Sequence, residues 1–437
     1  RRRGFVFQSS EIYGTLASCW DFGPLGVELK RNVKEAWWKD MVQTRDDMVG
    51  IDTSILMHTQ VWTASGHLKN FTDPLVEYKA CQKRFKGDDV EGKICPACGG
   101  ELSEPRQFNT MFKTFMGPVE DSSAVVYLRP ETAQGMFVNF PNVVSSTRKK
   151  LPFGIAQMGK SFRNEITTGN FIFRDREFEQ MEIEYFVKPG TQEKWYEYWL
   201  NERFEWYQKI GLKKEHLQLH HKKKEELAHY ALACADIEFY FPMGWGELEG
   251  VASRGDYDMN QHAITSGKNL KYVDEEAREQ YLPYVVEPSA GVDRLVLALM
   301  CDAYDEDIAD GEERVILRFN PRIAPVKAAV LPLSKKEPLA GYAREVFNNL
   351  RKDWVVHYDD TQSIGRRYRR QDEIGTPFCI TIDFQSLEDH QVTVRERDSM
   401  QQIRIPVADL KATLAAKLTG EPLSQGNVIW KSGAKTE

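Results

Sequence analysis

The sequence lacks the features of membrane proteins, of secreted proteins and of proteins that bind nucleic acid over their whole surface. In its 437 residues no stretch reaches the roughly 20 consecutive apolar residues of a membrane-spanning helix, so we expect no membrane span. The 7 cysteines are an odd number and unevenly spread, which favours reduced thiols in the cytoplasm over a disulfide framework. With 58 Lys and Arg against 65 Asp and Glu, the net charge of −7 argues against nucleic-acid binding over the whole surface but allows a local basic patch.

Internal repeats and low-complexity tracts are also missing, and the remaining composition, with 41% hydrophobic and 28% charged residues, is that of a globular protein. A chain of this length is expected to form two or three domains. From about Pro321 onward strands and helices alternate, which predicts a separate α/β domain with a mostly parallel sheet over residues 321–437. Residues 1–320 form the larger domain, with a zinc-ribbon-like insertion at 72–107 and a helical insertion at 190–235.

Residues 154–186 alternate as two strands around a polar connection, which predicts an antiparallel hairpin. Arg163 and Glu165 are expected on one face of its first strand. One face of the second strand carries a ring, an amide and two carboxylates: Phe178, Gln180, Glu182 and Glu184. Because arginine suits phosphate, a ring stacks on a base and carboxylates hold an ammonium, this surface would suit a nucleotide beside an amino acid. The alternative is a charged hairpin in solvent.

Residues 284–304 run from a strand into an apolar helix. Glu287, Ser289 and Gly291 share one face of the strand, where small residues let a ligand approach the backbone. Arg294 lies in the first turn of the helix. Because the helix is apolar all round, we expect it to be buried with its positive N-terminal end pointing at an anion.

Two further carboxylate positions stand out. Glu247 and Glu249 are two residues apart, so we expect them on one face of a strand, as an edge for a cation or a Mg²⁺-bound nucleotide. Glu131 follows Pro130 and is expected in the first turn of a helix, where a carboxylate is favourable. Simple capping of that helix is the alternative role of Glu131.

Cys95 and Cys98 form half of a zinc ribbon, but the matching segment has Tyr78 and only one thiol, Cys81. We therefore expect a knuckle that has lost its metal, and a zinc ion bound by the three cysteines is the alternative. Arg84, inside this insertion, would be free to reach a ligand.

The best nucleic-acid candidate is a basic cluster in the second domain, because four arginines surround one tyrosine on a predicted helix. The four are Arg366, Arg367, Arg369 and Arg370. A solvated helix face is the alternative interpretation.

In their order, these segments resemble the three signature motifs of class II aminoacyl-tRNA synthetases. In detail they resemble the single-chain glycyl-tRNA synthetases, through DFGPLGVELK, RPETAQG, FRNE, REFEQME, GELEGVASRGDYD and EPSAGVDR. The resemblance implies an α+β catalytic core, an antiparallel sheet flanked by helices, followed by a C-terminal α/β anticodon-binding domain. It also implies a homodimer that joins glycine to tRNA(Gly) with ATP and Mg²⁺.

The same resemblance implies roles for single residues. Arg163, Arg294 and Glu165 would be catalytic, holding the α-phosphate, the far end of the triphosphate and the adenine edge. The ATP site as a whole would consist of Arg163, Asn164, Glu165, Phe173, Arg174, Asp175, Arg176, Glu177, Phe178, Glu247, Leu248, Gly291, Val292, Asp293 and Arg294. The glycine site would consist of Arg84, Glu131, Phe178, Glu179, Gln180, Met181, Glu182, Arg254, Glu287, Pro288, Ser289, Ala290 and Gly291.

Two alternatives stay open from the sequence. One is a class II synthetase for another small or polar amino acid, such as Ser, Thr, Pro or His. The other is a non-catalytic subunit of the same fold, which would be expected to lose the arginines at positions 163 and 294. Both arginines are present.

Overall fold

The computed structural model describes residues 1–87, 90, 92, 94–95, 98–167, 169–228, 230–309 and 311–420, together with the backbone of 428–430. Pro96 and Ala97 of the predicted knuckle, and residues 421–427 and 431–437 of the predicted second domain, lie outside the described residues. Within the described ranges, no helix is both long and apolar enough to cross a membrane.

The strands are β1 (Val6–Gln8), β2 (Trp20–Phe22), β3 (Met48–Gly50), β4 (Thr72–Glu77), β5 (Arg84–Lys86), β6 (Arg106–Asn109), β7 (Lys113–Phe115), β8 (Val125–Tyr127), β9 (Phe153–Phe162), β10 (Glu177–Val187), β11 (Leu217–His221), β12 (Ala233–Phe241), β13 (Gly244–Gly255), β14 (Tyr272–Asp274), β15 (Glu279–Tyr281), β16 (Tyr284–Gly291), β17 (Tyr304–Ala309), β18 (Glu312–Leu317), β19 (Ala328–Pro332), β20 (Val356–Tyr358), β21 (Phe378–Ile382), β22 (Gln391–Glu396), β23 (Gln402–Pro406) and β24 (Val428–Trp430). The helices are α1 (Pro24–Trp38), α2 (Thr59–Ala64), α3 (His67–Asn70), α4 (Ala133–Thr147), α5 (Gln192–Lys209), α6 (Tyr257–Ser266), α7 (Val292–Ala303), α8 (Leu339–Leu350), α9 (Ile364–Ile374), α10 (Ser386–Asp389) and α11 (Leu410–Leu418).

A seven-stranded sheet forms the centre of the first domain, in the order β11-β12-β13-β16-β10-β9-β3. Its neighbouring strands run antiparallel, except that β3 runs parallel to β9. The hairpin predicted over 154–186 is present, because β9 and β10 pair from Phe162 opposite Glu177 to Phe153 opposite Phe186. Arg163 and Glu165 follow the last residue of β9, so the prediction that they lie within the strand is wrong.

Alternation along β10 gives the sheet two different faces. Met181, Ile183 and Tyr185 belong to the apolar core that includes residues of α1, α5 and α7. The intervening side chains, which start with Gln180 and Glu182, point to the opposite face. Helices α4 and α6 cover one end of that second face with apolar side chains, and the rest of it is open as a cleft.

The turn at Pro24 and Gly26, followed by apolar residues three to four positions apart, predicts a helix, and the structure has α1 there. Pro24 occupies its first position, where a missing N–H costs nothing. Leu29, Val33 and Trp37 recur every four residues and are buried. A Cβ added at Gly26 would lie 1.9 Å from the carbonyl oxygen of Phe5, so only glycine lets the N-terminal segment pack this closely against the helix.

The segment 190–235 is helical only in its first half. Helix α5 buries Trp199 and Trp206 in the core, as expected of its aromatic spacing. Residues 217–221 form β11 instead, because they pair with β12 at the edge of the large sheet. The prediction of a helical insertion is therefore wrong for the second half of this segment.

The second domain contains a six-stranded sheet in the order β20-β19-β21-β22-β23-β24. Strand β19 runs parallel to β20 and β21, whereas β21 to β24 run antiparallel. The alternation of helices and strands is as predicted, but the expectation of a mostly parallel sheet is wrong. The connections from β21 to β22 and from β22 to β23 are shorter than the dozen residues of a helical crossover, so the chain returns there as antiparallel strands.

Buried ion pairs join the second domain to the first. Asp372 of α9 accepts a hydrogen bond from Arg314 of β18 (Nη1 to Oδ2, 3.2 Å) and another from Arg395 of β22 (Nη1 to Oδ1, 2.9 Å). Arg322, in the connection between the domains, donates to both carboxylate oxygens of Asp40 at 2.7 and 2.9 Å. These pairs anchor the second domain on the part of the chain that carries the cleft.

Candidate active site

The cleft on the polar face of the large sheet has a volume of about 260 Å³. Its floor comes from β10, β13 and β16, and its ends come from the β9–β10 connection and the start of α7. The structure brings together most of the predicted ATP and glycine residues here, namely Glu131, Arg163, Glu165, Phe173, Arg174, Asp175, Phe178, Gln180, Glu182, Glu247, Leu248, Glu287, Ser289, Gly291, Asp293 and Arg294.

Arg163 is held between two aromatic rings. Its guanidinium carbon lies 5.3 Å from the ring centroid of Phe71 and 5.3 Å from that of Phe178. Its Nε donates to the carbonyl oxygen of Pro130 at 3.1 Å. Because these contacts fix the side chain while leaving other N–H groups available, the guanidinium is ready for an anion.

Arg294 is fixed at the other side of the cleft, in the first turn of α7. Its Nε donates to the carbonyl oxygen of Phe173 at 2.8 Å, and its Nη1 donates to that of Glu247 at 3.1 Å. The guanidinium carbon lies 4.3 Å from the centroid of the Phe173 ring. The N-terminal end of α7 adds positive potential at the same place.

Asp175 lines the cleft between these two arginines. Its burial, and then the charge of Asp293, raise the pKa of the Asp175 carboxyl to about 8. Among the described residues, its Oδ1 has no hydrogen-bond partner. The carboxyl group of Asp175 is therefore neutral near pH 7 in the protein without ligands.

A second pair of carboxylates, Asp236 and Glu247, lies on the neighbouring strands β12 and β13. Burial, and then the charge of Glu247, raise the pKa of Asp236 to about 6. The ammonium of Lys222 lies 3.1 Å from Asp236 and offsets part of this repulsion. Arg294 lies 3.5 Å from Glu247 and likewise offsets part of its charge. The two carboxylates remain oxygen donors of the kind that Mg²⁺ prefers.

Glu247 and Glu249 do not share a face, so the prediction that they do is wrong. A β-bulge shifts the register between β12 and β13, with Glu238 opposite Glu247 and Ile237 opposite Glu249. Leu248 is the extra residue. Glu247 therefore points into the cleft, whereas Glu249 is buried on the other face and accepts a hydrogen bond from Arg203 at 2.8 Å.

At the other end of the cleft, Gln180 and Glu182 are held by hydrogen bonds from their surroundings. The amide oxygen of Gln180 accepts from the backbone N–H of Thr132 at 3.1 Å, and its Nε2 donates to Ser289 Oγ at 3.2 Å. The hydroxyl of Thr132 donates to Glu182. Burial, and then the charge of Glu131, raise the pKa of Glu182.

Glu131 lies two residues before α4, so the prediction that it lies in the first turn of that helix is wrong. It is paired at its Oε2 with Nε2 of His67 at 3.2 Å, and its Oε1 accepts from Gln134 at 3.0 Å. Burial opposes ionisation, but His67 and Arg254 outweigh it and hold the pKa of Glu131 below its usual range. Glu131 is thus a fixed negative charge, which goes beyond simple capping.

Arg254 is buried behind the cleft. It donates to Asp258 from Nε at 2.7 Å and from Nη2 at 2.9 Å, and it also pairs with Glu287. The ring of Tyr230 lies 3.7 Å from its guanidinium carbon. Burial raises the pKa of Glu287 to about 8 in spite of Arg254, and Glu182 adds to the rise.

Glu184 lies below these groups, and one oxygen from each of Glu182, Glu184 and Glu287 falls within 4.8 Å of the others. Burial, and then the charge of Glu287, raise the pKa of Glu184 well above its usual value. Within the described ranges, neither oxygen of Glu184 has a hydrogen-bond partner. Carboxyl groups outnumber the one guanidinium of Arg254 at this end of the cleft, so some of them stay protonated without a ligand, and a positively charged ligand would favour their ionised form.

The comparisons with known proteins agree with this geometry. Residues 115–303 match the family described as "tRNA synthetase class II core domain (G, H, P, S and T)", and residues 327–417 match the "Anticodon binding domain" family. The chain is 54% identical to "Glycine--tRNA ligase" of Treponema denticola, over 96% of this chain and 95% of that protein. It is 53% identical to the protein of the same name from Thermobifida fusca, over 96% of each chain. The chain belongs to the glycine–tRNA ligase family.

Membership in the glycine–tRNA ligase family confirms the predicted family and fold class. The class II core match covers the strands that form the cleft floor, and the anticodon-binding match covers most of the second domain. The observed sheet of the core is antiparallel with flanking helices, as expected. The insertion at 72–107 precedes both matched regions.

Several residues that the resemblance to the ligase family placed in the site lie elsewhere. Because side chains of a strand alternate, the odd-numbered residues of β10 and the even-numbered residues of β16 point away from the cleft. The residues directed away from the cleft in this way, or continuing into α7, are Glu179, Met181, Pro288, Ala290 and Val292. Glu179, for example, pairs with Lys34 at 2.8 Å.

Four other predicted residues do not line the cleft. The backbone N–H of Asn164 donates to Thr110, Arg176 donates to the carbonyl oxygens of Ala17 and Glu165, and Glu177 pairs with Lys160. Arg84 is exposed on β5 and donates to Glu77 at 2.8 Å. Arg84 therefore does not reach the glycine end, and its predicted role there is wrong.

The sequence analysis missed residues that line the cleft or order it. They are Lys222, Tyr230, Cys234, Asp236, Gly250 and Ala252 in the lining, with His67 and Asp258 behind it. Alternation along β12 could have indicated Asp236, because Asp236 pairs with Gly250 on β13, the strand that carries the predicted Glu247. His67 carried no signal, because its pairing with Glu131 joins positions 64 residues apart.

The basic cluster of the second domain is only partly exposed. Arg367 is 3% exposed and donates to the carbonyl oxygens of Pro332 and Asp359, so its predicted contact with tRNA is wrong. Arg369 and Arg370 form ion pairs with Asp372 and Asp359. Arg366 is the exposed member. These arginines mainly hold α9 in place, which is closer to the alternative interpretation of a structural helix face.

Proposed function

We propose that this chain activates glycine with ATP and transfers the glycyl group to tRNA(Gly). The observation that carries the proposal is the charge arrangement along one sheet face. Two fixed arginines, Arg163 and Arg294, line the same cleft as the carboxyl groups of Glu131, Glu182 and Glu287. This face suits a triphosphate next to an ammonium group, which are the charged groups of ATP and of glycine.

In this proposal Arg163 binds the α-phosphate and Arg294 binds the far end of the triphosphate. Phe178 stacks on adenine, since its ring is already a partner of Arg163 in the cleft. Glu165, which lines the same side, accepts a hydrogen bond from the adenine edge. The residues present fit ATP because cations lie where phosphates would, and an aromatic ring lies beside them.

Mg²⁺ would be held by Glu247, with Asp236 next to it, and would supply further neutralisation of phosphate charge. The fit rests on geometry, because both carboxylates line the cleft on the neighbouring strands β12 and β13 and offer the oxygen ligands that Mg²⁺ prefers. The neutral Asp175 carboxyl, whose pKa is raised to about 8 by burial and by Asp293, does not repel the phosphates nearby.

The ammonium of glycine is proposed to bind among Glu131, Glu182 and Glu287, with Ser289 closing the pocket. Thr132 and Gln180 fix this wall, so a side chain larger than hydrogen would collide with it. Arg254, buried behind this wall, limits the repulsion among the carboxylates through its ion pair with Glu287. Exclusion by size is an easier task than the recognition of one missing methylene, which gives only about 10- to 200-fold discrimination.

The chemistry then proceeds in two steps. A carboxylate oxygen of glycine attacks the α-phosphorus, the bond to the β-phosphate oxygen breaks, and pyrophosphate leaves with the electron pair. A hydroxyl of the terminal tRNA ribose next attacks the glycyl carbonyl carbon, losing its proton, and AMP leaves. Both steps need alignment and charge stabilisation rather than a covalent nucleophile, which agrees with the fixed arginines.

We further propose that the chain is active as a homodimer in the cytoplasm. Strand β3 is an edge of the large sheet, and the adjoining surface groove is lined by Trp38, Ile51 and Met158. The other residues that line the groove are polar or charged, so the proposal rests on the unpaired edge of β3, which can pair with a second copy. Light scattering coupled to size-exclusion chromatography tests the dimer, and a monomer that retains full activity would contradict it.

Amino-acid-resolved ATP–pyrophosphate exchange tests the function. The expected result is exchange with glycine and background levels with alanine, serine, threonine, proline and histidine. Equal exchange with alanine or serine would contradict the glycine assignment and favour another class II synthetase. No exchange with any amino acid, from protein that is folded and binds ATP, would favour the non-catalytic alternative.

A further inference from the structure

We propose that Cys81, Cys95 and Cys98 bind a zinc ion through three thiolates, with a fourth position open to solvent beside Tyr78. The site lies in the insertion at 72–107, away from the cleft and outside the matched core and anticodon-binding regions. From the sequence we expected a knuckle that had lost its metal. The structure brings the three thiols together, which supports the alternative of a zinc ion bound by the three cysteines.

The spacing of the sulfur atoms fits a metal and does not fit a disulfide. The three Sγ atoms lie within 4.8 Å of one another, and those of Cys81 and Cys95 are 4.0 Å apart. A disulfide requires about 2.05 Å. Tetrahedral zinc with bonds of about 2.3 Å places its sulfur ligands about 3.8 Å apart, which is close to the observed distance. Three thiols at this spacing can therefore close around one ion with little movement.

The backbone around the thiols forms two turns of the same kind. In the first turn the N–H of Tyr78 donates to the carbonyl oxygen of Lys83 at 3.0 Å, and the N–H of Gln82 donates back to that of Tyr78 at 2.8 Å. Gln82 has a left-handed φ of 56°, which is uncommon for a residue with a side chain. The turn keeps this conformation because both hydrogen bonds need it.

The second turn repeats both hydrogen bonds at the same spacing. The N–H of Cys95 donates to the carbonyl oxygen of Gly100 at 2.9 Å, and the N–H of Gly99 donates to that of Cys95 at 2.9 Å. Gly99 also has a left-handed φ, of 66°. A Cβ added at Gly100 would lie 2.6 Å from Cβ of Ala80 and 3.3 Å from Sγ of Cys98, so glycine allows the two turns to approach.

This repetition assigns the positions of the four possible ligands. Cys95 and Tyr78 occupy the first position of their turns, and Cys98 and Cys81 occupy the fourth. Paired turns of this kind present their first and fourth side chains to a common zinc ion in ribbon folds. Three of the four positions carry a thiol here, and Tyr78 holds the remaining one.

Tyr78 leaves the fourth coordination position to a small ligand. Its side chain is 4% exposed, and its ring packs edge-on against Phe85 with 5.7 Å between centroids. Cys98 is exposed, so water reaches the same side of the cluster. Three thiolates and a water are a suitable set for zinc, which prefers four ligands and binds thiolate strongly.

The test uses the full-length protein with its metal content and a cobalt probe. We expect about one equivalent of zinc after purification without chelator, measured by plasma mass spectrometry. After removal of zinc, added Co²⁺ should give a thiolate-to-cobalt charge-transfer band and the visible bands of tetrahedral coordination. Cys81→Ser, Cys95→Ser and Cys98→Ser should each lose most of this absorbance, whereas Cys19→Ser, outside the insertion, should keep it.

A gain-of-ligand variant makes the test independent of whether the serine variants fold. Tyr78→Cys should complete the four-thiolate set, shift the visible cobalt bands and tighten zinc binding at least tenfold in competition with a chelator. Wild-type protein with substoichiometric zinc and no charge-transfer band would overturn the proposal. The same conclusion would follow if Cys19→Ser lost the band as fully as Cys98→Ser, or if Tyr78→Cys left both spectrum and affinity unchanged.

Discussion

The ammonium of Lys30 lies 2.6 Å from the carboxylate of Asp293, and this ion pair joins helix α1 to the first turn of α7. The other oxygen of Asp293 accepts a hydrogen bond from the backbone N–H of Glu179 at 2.9 Å. One carboxylate therefore fixes α1, β10 and α7 relative to one another, directly behind Arg294. The stability of this junction and the geometry of the cleft depend on the same group.

Lys30→Met should destabilise the protein while nearly preserving the side-chain volume. It leaves the buried carboxylate of Asp293 without its cation, which typically costs about 3–5 kcal/mol in free energy of unfolding. Urea unfolding followed by tryptophan fluorescence measures the change. Arg31→Met is the matched control, since Arg31 is exposed with carboxylates 3.6 and 3.7 Å away and should cost below about 1 kcal/mol. Equal losses in the two variants would contradict the role of the Lys30–Asp293 pair.

Arg163→Ala should reduce glycine-dependent ATP–pyrophosphate exchange strongly. By analogy with the loss of one donor to a developing anion, we expect a decrease of about 100- to 1,000-fold in kcat. Arg84→Ala is the control, because Arg84 was also predicted at the site from the sequence but is exposed and paired with Glu77 outside the cleft. Its exchange rate should equal that of the wild type. Retained exchange in folded Arg163→Ala protein would refute the assigned contact.

Ser289→Leu and Ala290→Leu should fail in different ways, although they are neighbours. Ser289 lines the cleft, so the larger side chain should raise KM for glycine and leave the unfolding midpoint nearly unchanged. Ala290 is buried in the apolar core, where overpacking costs about 1–3 kcal/mol. Steady-state exchange kinetics and urea unfolding separate the two effects. An unaltered KM in Ser289→Leu would place the glycine pocket elsewhere.

Asp175 should make stability fall as the pH rises. Burial and the charge of Asp293 raise its pKa to about 8 in the folded protein, whereas an unfolded Asp has a pKa of about 3.9. Between these values only the folded state holds the proton, so its stabilising contribution is present below about pH 4 and lost as the pH approaches 8.

Asp175→Asn should remove this dependence, because the amide stays neutral. The unfolding free energy of the variant minus that of the wild type should rise with pH between about 4 and 8, by at most about 1.4 kcal/mol per pH unit. Asp121→Asn is the control, since hydrogen bonds from Ser123 lower the pKa of Asp121, so that its contribution changes only below about pH 4 and its difference should be flat between about pH 4 and 8. A difference for Asp175→Asn that is flat across this range would show that the carboxyl is already ionised.

Arg366→Ala and Arg367→Ala should separate tRNA binding from domain stability. Arg367 is buried and donates to two carbonyl oxygens, so its loss should destabilise the second domain by about 1–3 kcal/mol. Arg366 is exposed, so its loss should leave unfolding unchanged and weaken tRNA charging, with a salt dependence reduced by about one phosphate contact. Full charging by Arg366→Ala at all salt concentrations would remove this residue from the tRNA surface.

Local periodicity predicted much of the fold and part of the candidate site. The β9–β10 hairpin, α1 after its Gly-Pro turn, and the strand face of Glu287, Ser289 and Gly291 each depend on neighbours within a few residues. In such segments the side-chain period and the turn chemistry determine the local structure. The resemblance to a known family then supplied the order of the elements.

The wrong predictions concern segments whose structure depends on contacts between residues far apart in the sequence. Residues 217–221 form a strand because they pair with β12, although the preceding segment is helical. The environment of Arg367 depends on Pro332 and Asp359, which no local pattern connects to it. Residues such as Glu179 and Ala290 were assigned by continuity along a motif, and strand alternation directs them to the other face.

The bulge at Leu248 has a consequence for how this protein can change in length. Deletion of an ordinary strand residue would move every side chain beyond it to the opposite face of the sheet, from the cleft to the core or from the core to the cleft. Leu248 is an exception in β13, since the pairing of Glu247 with Glu238 and of Glu249 with Ile237 already spans it. We expect a Leu248 deletion to keep Glu247 in the cleft and Glu249 on Arg203, although it removes a buried core side chain that also borders the cleft.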